Sequence, residues 1–79
     1  MTRNEIYNID VNNIESSQLR TYDDFYIMCE HLKMKITDAY VRNDLASGDL
    51  YAKALMVTQN LAITRLTDSE RMQFIATCI

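Results

Sequence analysis

The sequence predicts an all-α protein: an antiparallel helical hairpin, a short third helix, and an N-terminal extended arm with the pattern of a short strand. Three observations carry this. One glycine and no proline among 79 residues remove the commonest helix breakers. From Tyr22 onward apolar residues recur at spacings of three and four, the period of one helix face. Threonines followed by acidic residues, at Thr21 and Thr67, have the form of helix starts.

Residues 1–20 come first and read differently. Tyr7, Ile9 and Val11 alternate with polar neighbours at period two, which is a strand pattern. No other segment alternates, so such a strand has no partner within the chain to pair its backbone groups. Three arrangements follow: a flexible arm, an extended arm packed on the rest, or a strand that pairs with another chain. The arm spans 1–20 and a single helical domain spans 21–79.

Thr21 is the expected N-cap of the first long helix, with Asp23 and Asp24 favoured in its first turn by the helix dipole. Tyr22, Phe25, Cys29, Leu32, Ile36 and Ala39 then form a seam at heptad spacing, while Glu30 with Lys33 and Asp38 with Arg42 are spaced to pair across turns. Tyr26, Ile27, Met28, Met34, Tyr40 and Val41 flank the seam, so the helix is apolar over more than one stripe. In so short a chain this predicts a helix either sandwiched centrally or shared between subunits, and the reading taken is the second, with Tyr22, Phe25, Tyr26, Cys29, Leu32, Met34, Ile36 and Tyr40 as the partner or dimer interface and Tyr7, Ile9 and Val11 contributing from the arm.

Residues 43–49 contain the only glycine, and Gly48 is expected as a left-handed cap, with Ser47 or Asp49 capping a second helix over 49–65. Leu50, Ala54, Val57, Leu61 and Thr64 repeat the seam there. Thr67-Asp68-Ser69-Glu70 matches a capping box. The third helix it opens carries Met72, Phe74, Ile75, Ala76, Cys78 and Ile79, a broad apolar surface.

Little in the chain suggests chemistry. Cys29 and Cys78 stand alone, without a second cysteine or a histidine at metal-ligand spacing, and read as buried free thiols. His31 falls on the solvated side of the first helix, beside Glu30 and Lys35, and cannot meet Cys29 two residues away. The carboxylates are explained by caps, dipoles and ion pairs, and no glycine-rich loop offers a phosphate cradle. No catalytic residue, cofactor or metal is expected.

Net charge decides the next question. Eight Lys and Arg against eleven Asp and Glu give −3, the wrong sign for a domain that lives on phosphate backbones. Residues 47–79 balance Lys53, Arg65 and Arg71 against Asp49, Asp68 and Glu70, so a helix-turn-helix reading finds few phosphate contacts. The best basic patch is Lys33, Lys35 and Arg42. There is no apolar run of membrane length and no leader-like start, which points to a cytoplasmic protein without membrane contact. At this size one core supplies only about 3–5 kcal/mol, so oligomerisation is the remaining source of burial.

By elimination the chain reads as a non-catalytic protein-binding module: a small regulator, adaptor, chaperone or inhibitor that occupies a surface on a larger protein, homodimeric, of the kind found among bacterial or phage accessory proteins. The alternative is a small dimeric transcriptional or nucleic-acid-binding regulator.

Overall fold

A computed structural model describes all 79 residues. Every regular element is helical: α1 (Arg3–Tyr7), a 3-10 turn (Ile14–Ser16), α2 (Tyr22–Val41), α3 (Leu45–Arg65) and α4 (Asp68–Cys78). None is long and apolar enough to cross a membrane.

The first difference from expectation is at the N-terminus, where a helix replaces the strand. Glu5 N–H donates to the Thr2 hydroxyl (3.2 Å) and Thr2 N–H donates to the Glu5 carboxylate (2.9 Å), a complete capping box. A lone strand leaves its backbone groups unpaired, whereas a single helical turn satisfies them locally. The helix buries Ile6 completely and leaves Tyr7 exposed, while Ile9 and Val11 lie half-buried against the core. Ile14 and Leu19 are buried as well, at 2% and 0% exposure. Residues 1–20 are therefore neither an extended arm nor separate from 21–79, because Ile6, Ile14 and Leu19 belong to the same hydrophobic cluster as the long helices.

α2 starts where the sequence places it. The Thr21 hydroxyl accepts from Asp24 N–H (3.1 Å) and the Asp24 carboxylate accepts from Thr21 N–H (3.3 Å). Phe25, Met28, Cys29 and Leu32 of α2 are wholly buried.

The link to α3 is shorter than the sequence suggests. Asn43 takes the left-handed conformation (φ 59°), a role that Asn tolerates better than most residues. That frees Gly48 from capping, and Asp44 caps the helix instead by accepting from Ser47 N–H at 3.1 Å. Gly48 lies within α3, buried, where a Cβ would stand 2.9 Å from Tyr40 Cδ1. It is a contact residue.

α2 and α3 form a packed helix pair. Tyr40 near the end of α2 lies against Gly48 near the start of α3, and Arg65 at the end of α3 reaches the Ser17 and Leu19 carbonyls just ahead of α2. The buried positions of α3 are Gly48, Ala54, Thr58 and Ala62. This differs from the seam expected there: Ala54 is shared, but Leu50 and Thr64 are exposed and Val57 and Leu61 only half-buried. Small residues let the α3 backbone approach the large side chains of α2 closely, which a stripe of leucines would prevent. The buried Thr58 hydroxyl donates to the Ala54 carbonyl (2.8 Å), so no polar group is orphaned on this face.

α4 closes the core. Phe74 meets Phe25 edge-on (6.2 Å, 72°) and Tyr22 likewise (6.5 Å, 83°). The Thr67 hydroxyl caps the helix, accepting from Glu70 N–H at 3.4 Å. Glu70 does not complete a reciprocal box: one carboxylate oxygen accepts from the Thr67 hydroxyl (2.9 Å), and the other accepts from Tyr22 N–H (3.4 Å) and ties the start of α4 to the start of α2.

Candidate functional site

The residues expected at an interface separate into two groups. Phe25, Cys29 and Leu32 are fully buried within the single chain and have no area left for a partner. The seam of α2 is thus an intramolecular seam, because α3 and α4 cover it. Tyr22 and Ile36 are half-buried, Tyr22 between Phe74 and a stacked Tyr26 (6.0 Å, 26°). Tyr26, Met34 and Tyr40 remain on the surface. Of the N-terminal set, Tyr7 is exposed while Ile9 and Val11 pack inward.

What α2 presents to solvent is a different face, with Met34 71% and Val41 79% exposed. They stand seven residues apart, two turns along one side of the helix. Ion pairs border them: Lys33 with Glu30 at 3.8 Å and Arg42 with Asp38 at 2.6 Å, both at the spacings the sequence indicates. α4 exposes Met72 and Ile75, with Ile79 just past its end, and α3 contributes Met56 and Ile63.

Titratable groups are arranged for structure. Burial pushes the Cys29 thiol up to about 12, with the neighbouring Cys78 adding to the rise, so it is no nucleophile at neutral pH. Burial raises the Cys78 thiol too. His31 is not in open water as expected. Its ring stacks on Tyr7 (centroids 4.5 Å apart, 22° between planes), and loss of solvent, reinforced by Lys35, holds its pKa below the ordinary value. The stack pins α1 to α2. No set of three His, Cys, Asp or Glu side chains lies together in a geometry for a metal ion.

Two features escaped the sequence reading. Thr2-Arg3-Asn4-Glu5 carries the capping-box spacing that signals α1. Asp24 is a buried carboxylate as well as a cap residue. It accepts from Arg20 N–H (3.2 Å), from Thr21 N–H (3.3 Å) and from the Met1 α-ammonium (3.3 Å). Comparison with protein families, characterised proteins and solved structures found no match to this chain.

Proposed function

We propose that the protein is a non-catalytic protein-binding module, homodimeric and cytoplasmic, that acts by occupying a surface on a larger protein. The observation that supports this reading is the outer face of α2, where Met34 and Val41 lie in line, exposed by 71% and 79%. Single exposed apolar residues are ordinary, but two large ones in register on a rigid helix are a surface for another helix. In this reading α2 and α3 form an antiparallel hairpin that holds the face flat. A second copy applied about a two-fold axis buries both residues on both sides, and methionine adapts to either partner.

The nucleic-acid alternative gains no observation of its own. Lys33 and Arg42, two of the three residues of its basic patch, are engaged by Glu30 and Asp38.

Sedimentation equilibrium at micromolar concentration tests the proposal. The expected result is a dimer that the double variant Met34→Lys, Val41→Lys converts to monomer with unchanged helicity by circular dichroism. Such surface positions tolerate charge within about 0.5 kcal/mol of folding stability. A monomeric wild-type protein, or a dimer indifferent to both lysines, overturns the assignment of this face.

A further inference from the structure

The strip of α2 that carries Met34 and Val41 is charged in a fixed order. Glu30, Lys33, Met34, Thr37, Asp38 and Val41 line one shallow hollow of about 450 Å³ and so share a face, and Arg42 is held at its end by Asp38 (2.6 Å). Along the helix the charges run negative, positive, negative, positive: Glu30, Lys33, Asp38, Arg42. All four side chains keep between 43% and 69% of their surface in water. Each can take a second partner besides the one on its own helix.

A two-fold axis offers two ways to bring this face onto a second copy. With the helices parallel every residue meets its own counterpart, so Glu30 faces Glu30 and Lys33 faces Lys33. Like charges so placed oppose association. With the helices antiparallel the order is reversed on one side, and negative meets positive. Arg42 of one copy falls opposite Glu30 of the other, and Asp38 opposite Lys33. The two pairings share a midpoint within half a residue of Ile36, so one register makes both. A slide of one turn in either direction would set Glu30 against Asp38 or Lys33 against Arg42, so the charges also fix the register.

The pairs already present on each helix complete the pattern. Glu30 with Lys33 (3.8 Å) on one copy and Asp38 with Arg42 on the other close into a ring of four alternating charges, and symmetry makes two such rings. A network of this kind holds where an isolated surface pair contributes little. Between the rings Met34 lies two positions from the midpoint, against Met34 of the other copy. Val41 comes under the crossing of Arg42 with Glu30, whose aliphatic stems cover it.

We propose that the occupant of this face is a second copy of the chain with its α2 antiparallel, in the register that crosses Glu30 with Arg42 and Lys33 with Asp38, a proposal that rests on the homodimer reading above.

The test is sedimentation equilibrium on three chains: the wild type, Glu30→Arg, and Glu30→Arg combined with Arg42→Glu. The single reversal sets an arginine against Arg42 twice in each dimer and should weaken dimerisation about tenfold. The second reversal, on the same chain, should restore most of that loss. Positions 30 and 42 are about 18 Å apart along one helix, beyond the screening length of about 8 Å at 0.15 M salt, so the rescue can arise only between copies. Helicity by circular dichroism should be the same in all three. A single reversal without effect, or a double variant that dimerises no more tightly than the single one, overturns the antiparallel register and leaves the homodimer standing. A monomeric wild-type protein overturns both. A dimer that Met34→Lys, Val41→Lys fails to dissociate overturns the face, and the register with it.

Discussion

Asp24 is the one buried charged residue, and the groups that hold it explain why the charge survives burial. Burial by itself raises a carboxyl pKa. Here it is outweighed by the N–H groups of Arg20 and Thr21 and by the Met1 ammonium, so the pKa lies below its ordinary 3.8. A depressed carboxyl pKa contributes stability that is present above the unfolded value and lost as pH falls through the folded one. His31 is also depressed, from 6.5, by loss of solvent and by Lys35. For a histidine this means that the unfolded chain takes the proton first, so stability is full above pH 6.5 and declines as pH falls below it. The melting temperature should therefore fall in two steps on acidification, one starting near pH 6.5 and one below pH 3.8. His31→Gln should abolish the first and keep the second. A melting profile of that variant with the same loss between pH 6.5 and 5 would remove His31 from the account. Asp24 as a cap residue was readable from Thr21-x-x-Asp24, but its burial was not, since one of the groups that close over it is the chain's own amino group 23 positions away.

At the scale of elements, side-chain size decided how the long helices meet. The period of α2 was legible, and Phe25, Cys29 and Leu32 are buried where the seam put them. Its partner face on α3 was not, because apolar periodicity weights large residues while the contact uses Gly48, Ala54, Thr58 and Ala62. The sequence marks Gly48 as a left-handed cap, and it serves as the seat for the Tyr40 ring. That seat can be measured. Alanine at 48 would drive the ring off and break the Tyr40 hydroxyl's bond to Asp49 (3.4 Å). In an exposed helix interior the same change gains about 1 kcal/mol of propensity. In a Tyr40→Ala background, Gly48→Ala should thus stabilise by about 1 kcal/mol, and in the wild type by less or not at all. Urea denaturation of the four proteins gives the cycle, and additive effects would show that ring and glycine are uncoupled.

Over the whole molecule, the helical class was legible and the seating of residues 1–20 was not. Local alternation at Tyr7, Ile9 and Val11 contains no record of Arg65, which holds the carbonyls of Glu15, Ser17 and Leu19 across 46 to 50 positions of sequence. Hydrogen bonds from a charged donor contribute about 1.5–3 kcal/mol each. Arg65→Gln should therefore let the N-terminal segment open on its own. Hydrogen exchange should show lost protection at Ile9 and Ser17, whose amides bond within this segment, while the α2 and α3 amides stay protected. Uniform loss across all helices would mean that the segment and the helix pair unfold as one. The clamp also has a consequence for synthesis. A growing chain emerges from its N-terminus, and what emerges first ordinarily folds first. Here the carbonyls of Glu15, Ser17 and Leu19 are made long before Arg65, and the clamp cannot close until the end of α3 clears the ribosome. A segment translated early is fastened by a residue translated late.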